Sequence, residues 1–238
     1  MSEKRLEGRV ALVTGASRGI GYAVAKALAA EGAQIIATAR TTGALEQLDD
    51  EIRSAGGQCT LVPLDLMDPE GIEKLAGVIA ERWGKLDILV CNAGVLGQIT
   101  PAHQITAKTW NEVLGVNTIV PARFIRAFEA LLRASDAGRA LFTSSGASTS
   151  RRAYWAAYSA SKAALDALVQ SWAKELEDCA LTANLVDPGA TRTKMRAKAA
   201  PGEDPETLPH PDEVAPLFVE LALPSETRNG EIVKFERG

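Results

Sequence analysis

The sequence predicts an α/β fold, doubly wound, in which helices cover both faces of a parallel sheet. Short apolar runs of strand length alternate with segments of helical periodicity along the whole chain. Strand, helix and strand in regular alternation imply right-handed crossovers, which place helices on both faces. The length of 238 residues is large for one domain, but α/β folds of this size commonly form one unit around one sheet. We therefore expect residues 1–238 to form a single domain.

Seven apolar runs indicate the strands, and helical signals lie between them. Between the first two runs, apolar residues recur at helical spacing, and Gly32 stands where a left-handed residue would end that helix. Asp68 and Pro69 are typical of an N-cap and a first helical residue, and their helix is expected to run to about Trp83. The predicted strands are Arg9 to Val13, Gln34 to Ala39, Thr60 to Leu64, Leu86 to Cys91, Arg139 to Thr143, Leu181 to Val186 and Glu231 to Phe235.

One long segment, Gly189 to Pro211, lacks a regular pattern and is rich in Pro, Gly, Lys and Glu. It follows a predicted strand end, and open α/β sheets bind their ligands outside the carboxyl ends of their strands. We interpret residues 189–211 as a mobile lid over a substrate. The alternative is a solvated surface loop without a functional role.

Composition and charge exclude several classes of protein. The formal net charge is -4 and no run of lysines and arginines occurs, so neither nucleic acid nor a membrane is an expected partner. No apolar run approaches the roughly 18 residues of a membrane span, and the charged N-terminus lacks the apolar core of a signal peptide. We expect a cytoplasmic protein whose partner is a small molecule.

Cysteines and histidines are few and scattered. Cys59, Cys91 and Cys179 are widely separated and show no CxxC spacing, which favours reduced thiols. Only His103 and His210 are available as imidazole ligands, and no HExxH motif occurs. We therefore expect no protein-bound catalytic metal.

The first predicted strand runs directly into a glycine-rich turn and then into a helix. Gly15, Gly19 and Gly21 are spaced GxxxGxG, which suits a tight turn with close backbone approach. Backbone amides at the helix N-terminus then face whatever lies above the turn, and a pyrophosphate is the ligand that they favour. The alternative is a glycine-rich turn without a ligand. The residues expected at this ligand are Gly15, Ser17, Arg18, Gly19, Ile20 and Gly21.

The end of the second strand bears on the choice of cofactor. Enzymes of this topology that use NAD usually place a carboxylate there, which accepts a hydrogen bond from the adenosine ribose. This chain has Thr38-Ala39-Arg40 instead. Arg40 and Arg18 are suited to a ribose 2′-phosphate, which predicts that NADP(H) is preferred, with NAD(H) left open. The alternative is that both arginines are solvated surface residues.

Tyr158 and Lys162 lie at positions i and i+4, which places a phenol and an ammonium on one face of a predicted helix. A neighbouring cation lowers the pKa of a phenol, so Lys162, together with a positive nicotinamide, is expected to move the pKa of Tyr158 toward neutrality. Ser145 follows the strand Arg139 to Thr143, at the carboxyl edge where ligands bind. The alternatives are an amphipathic surface pair and a serine that only caps a turn.

Taken in order, these motifs resemble those of the short-chain dehydrogenase/reductase family, and the resemblance covers essentially the whole chain. It implies a single-domain, doubly wound Rossmann fold with a seven-stranded parallel sheet. The nucleotide-binding half would be about residues 1–135, and the catalytic and substrate half about residues 136–238. The motifs are Thr14 to Gly21, Asp65 after the third strand, Cys91-Asn92-Ala93-Gly94 after the fourth, Asn117, Ser145, Tyr158, Lys162 and Pro188-Gly189.

The resemblance also implies a catalytic group, which consists of Asn117, Ser145, Tyr158 and Lys162. In the family pattern the serine hydrogen-bonds the substrate oxygen, the tyrosine exchanges its proton, the lysine also holds the nicotinamide ribose, and the asparagine anchors a relay water. The further cofactor contacts that it implies are Asp65 and Leu66 at the adenine, Asn92, Ala93 and Gly94 at the adenosine ribose and the neighbouring sheet, and Thr191 and Thr193 at the nicotinamide amide, with Pro188 and Gly189 beside them.

The implied function is that of an NADP(H)-dependent oxidoreductase which interconverts a carbonyl and a secondary alcohol by hydride transfer, with Tyr158 as the acid/base. A nucleotide-binding regulatory protein without turnover is the alternative, which the presence of all the catalytic residue types disfavours. Epimerisation or dehydration with the same cofactor would require a longer C-terminal region. The substrate pocket is expected between Leu96 to Ile99, Tyr154, Trp155 and the lid, for a non-ionic, partly hydrophobic carbonyl compound.

The chain departs from the family pattern in two places. Cys91 stands where asparagine is more common, and we interpret it as a small packing residue. The tail from Gly230 to Gly238 is shorter than the usual glycine-rich one, which often supports a tetramer. We expect a homodimer or homotetramer, with the helices around Asn111 to Leu132 and Tyr154 to Glu177 available for a dimer.

Overall fold

The structure, a computed structural model, describes residues 4–237, in which seven strands form one sheet. The strands are β1 (Val10–Thr14), β2 (Gln34–Ala39), β3 (Gln58–Pro63), β4 (Ile88–Cys91), β5 (Arg139–Thr143), β6 (Thr182–Asp187) and β7 (Ile232–Lys234). All neighbouring pairs are parallel, in the order β3-β2-β1-β4-β5-β6-β7. The strand order reverses between β1 and β4, which creates a switch point at the centre of the sheet.

Helices cover both faces of this sheet. They are α1 (Gly19–Ala30), α2 (Thr42–Ser54), α3 (Pro69–Trp83), α4 (Ala107–Leu114), α5 (Val120–Arg133), α6 (Ala147–Ser150), α7 (Ala156–Lys174), α8 (Lys194–Ala199) and α9 (Pro211–Leu221). Ala11 and Val13 of β1 pack with α1, α2 and α9, whereas Val10 and Leu12 pack with α3, α5 and α7. Because successive side chains point to opposite faces, the strand is apolar on both. The predicted doubly wound fold with a seven-stranded parallel sheet is confirmed.

The predicted strands agree with the structure to within two residues at each end. β2 and β5 occupy the predicted residues. β3 begins at Gln58, earlier than predicted, because it pairs with β2 from Gln34 onward. β4 begins at Ile88 rather than Leu86, since the amide of Leu86 donates to the carbonyl of Leu131, outside the sheet.

The capping residues predicted two helix ends correctly. Gly32 follows α1 in the left-handed region, with φ of +97°. The carboxylate of Asp68 accepts from the amide of Glu70 at 3.1 Å, and α3 then ends at Trp83 as predicted. Both ends are therefore explained by local residue chemistry.

Residues 189–211 are more regular than predicted. They include α8 and the 3-10 turn Pro205–Thr207. The hydroxyl of Thr193 accepts from the amide of Arg196 at 3.1 Å and caps α8, and the guanidinium of Arg196 pairs with Glu203. The expectation of an irregular segment is wrong because these local polar contacts support a helix.

Neither a membrane span nor a metal cluster is found in the described part of the chain. No helix of residues 4–237 combines the length and the apolar character needed to cross a bilayer. The same residues contain no group of three or more His, Cys, Asp or Glu side chains that could hold a metal ion.

Cys59, Cys91 and Cys179 are free thiols, and burial raises the pKa of Cys59 to about 12 and that of Cys91 further. Cys91 is therefore interpreted as a packing residue rather than a reactive thiol.

A buried charge cluster joins the amino ends of the central strands. Asp87, whose side chain is fully buried, accepts from the amide of Val10 at 2.8 Å and from the hydroxyl of Ser135 at 2.5 Å. Lys85 and Arg9 neutralise its carboxylate at 2.9 and 3.5 Å. The cluster stabilises the edge of the sheet that lies opposite to the carboxyl ends of the strands.

Replacing Asp87 with alanine is expected to lower the free energy of unfolding by about 3–5 kcal/mol, because it leaves Arg9 without its buried partner. Asp136→Ala is the matched control. Asp136 also contacts Arg9, but its side chain is 76% exposed, so we expect a loss of at most about 1 kcal/mol. Urea unfolding followed by circular dichroism measures both losses. Equal losses would contradict a dominant role for the buried carboxylate.

Candidate active site

The loops that follow β1, β4, β5 and β6 meet above the carboxyl ends of these strands, around the switch point. The residues with a predicted catalytic role lie on these loops, on α7, or on the π turn Gly115–Ile119 between α4 and α5. The structure therefore brings the predicted site residues to one edge of the sheet, the edge where open α/β folds bind their ligands.

The turn between β1 and α1 presents backbone amides that no side chain caps. Gly15 and Gly19 lie in the left-handed region, with φ of +66° and +60°. Arg18, the residue before α1, is extended and makes no capping hydrogen bond, and the first turn of α1 contains no acidic residue. Ser17 and Ile20 are half-buried in the same turn. The free amides and the helix dipole are suited to an anion such as a pyrophosphate.

The glycines let three backbone segments approach one another closely. A Cβ atom on Gly15 would lie 3.0 Å from the Cα of Ala93, and one on Gly21 would lie 2.5 Å from the carbonyl oxygen of Gly15. A Cβ on Gly19 would lie 3.4 Å from the methyl group of Thr193, which places the start of α8 directly over the turn. The segment therefore has the side-chain-free surface that a dinucleotide needs.

Asn92 joins this turn to the central strands. Its Nδ2 group donates to the carbonyl of Thr14 at 3.2 Å, and its Oδ1 accepts from the hydroxyl of Thr143 at 3.3 Å. The backbone amides of Asn92 and Ala93 donate to the Thr14 hydroxyl at 3.0 and 3.1 Å. The expected contact of this loop with the neighbouring sheet is present, and contact with a ribose stays a prediction.

Two exposed arginines lie near the carboxyl end of β2. Among residues 4–237, neither Arg18 nor Arg40 forms an ion pair with a carboxylate. On the adjacent strand end, Leu66 is buried and the carboxylate of Asp65 accepts from the amide of Met67 at 3.0 Å. Basic and apolar groups are thus available side by side at the edge where an adenosine phosphate is expected.

The loop after β6 turns sharply toward α8. Gly189 has φ of +64°, and its amide donates to Oδ1 of Asp187 at 3.1 Å. The buried Thr191 donates from its hydroxyl to the carbonyl of Pro188 at 2.8 Å. Because Thr193 follows and lies over Gly19, this turn joins the predicted nicotinamide contacts to the glycine-rich turn.

Tyr158, Lys162 and Ser145 lie together where α7 meets the end of β5. Lys162 is buried, and its Nζ donates to the carbonyl of Thr143 at 2.6 Å. The same Nζ lies 5.8 Å from the centroid of the Tyr158 ring. Ser145 lies next to the hydroxyl of Tyr158 and acts to lower the pKa of this phenol. The spacing of i and i+4 on α7 is therefore sufficient to place phenol and ammonium beside the serine.

Asn117 occupies the π turn and is buried. Its Oδ1 accepts from the amide of Val95 at 2.8 Å, and its Nδ2 donates to the carbonyl of Val95 at 2.8 Å and to the hydroxyl of Ser161 at 3.0 Å. A π turn within a helix is frequent at functional sites. The side chain joins the loop after β4 to α7, and the expected relay water stays a prediction.

Burial determines the protonation of the central pair. It raises the pKa of Tyr158 to about 12, although the hydrogen bond with Ser145 lowers this pKa, and the charge of Asp187 raises it. Burial lowers the pKa of Lys162 to about 8, while the charges of Asp166 and Asp187 raise it. Burial therefore opposes the expected shift of the Tyr158 pKa toward neutrality, and the joint effect of Lys162 and a nicotinamide stays a prediction.

A cavity of about 430 Å³ lies next to Tyr158. The amide of Thr100 donates to the carbonyl of Tyr154 at 3.0 Å, and Tyr154 has φ of +71°, which is strained for a tyrosine. Leu96 packs with Tyr158 and Trp155, so Tyr154 and Trp155 flank the cavity rather than line it. The cavity is lined by Leu96, Gln98, Ile99, Thr100 and Lys198.

Three buried polar residues behind the pair were not predicted from the sequence, namely Ser144, Asp166 and Asp187. The sequence contains a spacing signal for one of these residues. Asp166 follows Lys162 at the same spacing at which Lys162 follows Tyr158, so all three lie on one face of α7. Asp187 has no comparable signal because its burial depends on tertiary contacts at the end of β6, where it pairs with β7.

The chain is similar to known oxidoreductases in sequence and in structure. A model of the family described as short chain dehydrogenase matches residues 9–204. The oxidoreductase YciK of Escherichia coli (strain K12) is 39% identical over 219 residues, which are 91% of this chain and 86% of that protein. A short chain dehydrogenase from Pseudomonas syringae has a TM-score of 0.94 and 39% identity, over 98% of this chain and 96% of that one. A short chain dehydrogenase from Shigella flexneri 2a str. 301, complexed with NADP, has a TM-score of 0.94 and 36% identity, over 98% and 99% of the two chains.

Gly21→Ala is expected to lower the free energy of unfolding by about 1–3 kcal/mol, because the added methyl group would overlap the backbone of Gly15. Alanine is otherwise the better helix former. Gly43→Ala is the matched control, since a Cβ at Gly43, in α2, meets nothing within 4 Å. We expect that variant to unfold at an equal or higher urea concentration. A Gly21 variant as stable as the Gly43 variant would contradict the close packing of the turn.

Proposed function

The chain belongs to the short chain dehydrogenase family of NAD(P)-dependent oxidoreductases, and from this membership we propose that it is an NADP(H)-dependent enzyme which interconverts a carbonyl and a secondary alcohol. The main support is the placement of Tyr158 next to Ser145 and beside the cavity, with the ammonium of Lys162 behind the phenol. A nucleotide-binding regulator without turnover has no comparable support, because these three side chains are already assembled for chemistry.

The proposed mechanism assigns one task to each of these residues. When bound, the nicotinamide supplies the hydride that reaches the carbonyl carbon. Ser145 donates a hydrogen bond to the carbonyl oxygen and polarises it. Tyr158, protonated at neutral pH because burial raises its pKa to about 12, gives its proton to the same oxygen. Lys162, charged below its pKa of about 8, stabilises the phenolate that remains. This protonation pattern favours reduction near neutral pH.

The residues at the sheet edge fit the proposed cofactor. The uncapped amides of α1 and the glycine turn suit its pyrophosphate, and Arg18 with Arg40 suits a 2′-phosphate. Leu66 and Asp65 suit the adenine, and Lys162 suits the nicotinamide ribose. The other proposed contacts are Ser17, Ile20, Asn92, Ala93, Gly94, Pro188, Gly189, Thr191 and Thr193. This assignment supports the division into a nucleotide-binding half, about residues 1–135, and a catalytic half, about residues 136–238, with residues 189–211 over the substrate.

We propose a carbonyl substrate with a partly apolar body, because Leu96 and Ile99 line the cavity. Lys198, from the predicted lid, adds a cation to the lining, so an anionic group on the substrate is favoured over a cationic one. We also propose a homodimer or homotetramer. A cytoplasmic location is supported by the free thiols of all the cysteines.

Tyr158→Phe is expected to lower turnover by at least about 100-fold while NADPH binding stays within about twofold, because only the proton donor is lost. Purified protein would be titrated with NADPH and NADH by fluorescence, and then assayed with neutral, anionic and cationic carbonyl compounds. Tyr154→Phe is the matched control, since its side chain is exposed and does not line the cavity. Full turnover by the Tyr158 variant would refute the mechanism, and a wild-type protein that binds NADPH but reduces none of the compounds would favour the regulatory alternative.

Arg40→Asp is expected to shift the ratio of NADPH to NADH affinity toward NADH by at least about tenfold. The change removes a cation suited to a phosphate and introduces a carboxylate that suits a ribose hydroxyl. Arg82→Asp is the control, because Arg82 is an exposed arginine near the end of α3. The two dissociation constants, measured by fluorescence, give the ratio. An unchanged ratio in the Arg40 variant would remove this residue from the cofactor site.

A further inference from the structure

Two carboxylates lie behind Tyr158 and Lys162, and the mechanism above does not use them. Asp166, one turn beyond Lys162 on α7, is 6% exposed, and Asp187, the last residue of β6, is 8% exposed. Burial of a carboxylate is costly unless hydrogen bonds or an opposite charge compensate for it. Both residues therefore require an explanation.

Hydrogen bonds hold each carboxylate in place. The hydroxyl of Ser144 donates to Oδ1 of Asp166, and the hydroxyl of Ser148 also hydrogen-bonds this carboxylate. The amide of Gly189 donates to Oδ1 of Asp187 at 3.1 Å. Ser144 and Ser145 are adjacent in the chain. Ser144 therefore lies at the carboxylate of Asp166, and Ser145 lies at the phenol of Tyr158.

Few charged groups face the ammonium of Lys162. On α7 its ionisable neighbours are Tyr158 and Asp166, and the end of β6 contributes Asp187. The end of β5 contributes the neutral carbonyl of Thr143. The π turn and residues 92–100, which follow β4, contain no charged side chain. Within the described residues, neither aspartate lies within 4 Å of a cation, so both act on Lys162 through space.

We propose that Asp166 and Asp187 are positioning residues that serve together as the counter-ions of Lys162 and keep its ammonium charged at neutral pH. Burial raises the pKa of Asp166, and Ser144 and Ser148 act to lower it and so favour the ionised form. The inference rests on the proposed function only for its effect on catalysis, because the charge of Lys162 is a property of the protein itself.

The direction of the effect follows from electrostatics. A negative charge near an ammonium favours the protonated form and raises its pKa. Burial alone lowers the pKa of Lys162, and with both carboxylates present this pKa is about 8. Removal of either charge is therefore expected to lower the pKa further, so that Lys162 loses its proton closer to neutral pH.

The test is a pH titration of Lys162 in Asp166→Asn and Asp187→Asn proteins. Asparagine keeps Oδ1 as an acceptor and removes the charge, while an amide NH2 group of similar size replaces Oδ2. Protein labelled with ¹³C-lysine is followed by NMR, and the Lys162 signal is assigned by its loss in Lys162→Met. We expect the midpoint to fall by about one pH unit or more in each variant. NADPH affinity, measured by fluorescence, is expected to weaken at correspondingly lower pH.

Glu177→Gln is the control, since this carboxylate is exposed beyond the end of α7. The pH midpoint of the Lys162 titration in this variant should match that in the wild type. A purely structural role for the aspartates would lower the thermal unfolding temperature without moving the midpoint, and an unmoved midpoint in both Asn variants would overturn the proposal.

The titration is independent of turnover. If the wild-type protein reduces no carbonyl compound, the proposed function fails while the Lys162 midpoint still tests the counter-ions. If the wild type reduces carbonyl compounds and the midpoint does not move, the proposed function stands and the counter-ion proposal fails.

Discussion

The hydrogen bonds of Asn92 are the constraint on which both parts of the site depend. They join Thr14, at the end of β1, to the hydroxyl of Thr143, at the end of β5. The carbonyl of Thr143 accepts in turn from Lys162. A continuous series of hydrogen bonds therefore leads from the glycine-rich turn to the buried ammonium. Because each bond lies at a strand end, the distance between the glycine-rich turn and Lys162 follows from the register of β1, β4 and β5.

The charged side chains at the amino ends of the strands are paired differently from those at the carboxyl ends. At the amino edge, Asp87 is surrounded by donors and by two cations, and its charge is neutralised within the protein. At the carboxyl edge, within residues 4–237, Arg40 is exposed and forms no ion pair, and Asp166 is buried and reaches Lys162 only through space. Burial of a charge without a close partner is costly, and ionisable groups in such surroundings are typical of sites that bind a ligand or move a proton.

Much of this architecture was predictable because its signals are local. β2 and β5 were found from apolar runs, and Tyr158 with Lys162 from the period of a helix. The features that were missed depend on tertiary contacts. The pKa of Tyr158 rises because α7 is buried against the sheet, which no spacing of residues reveals. Asp187 directly follows the predicted strand and precedes a proline, yet it pairs with Lys234 of β7 and is buried.

The segment 189–211 shows how a local contact changes the interpretation of a site. Its composition predicted an irregular cover, but the Thr193 cap forms α8, and the same threonine lies against Gly19 of the nucleotide turn. From α8, Lys198 lines the cavity and Met195 packs beside Tyr158. One short helix therefore contacts the turn that suits the pyrophosphate and also forms a wall of the cavity. Because Thr193 caps the helix that carries Lys198, a rigid shift of α8 would change its contact with Gly19 and the lining of the cavity together.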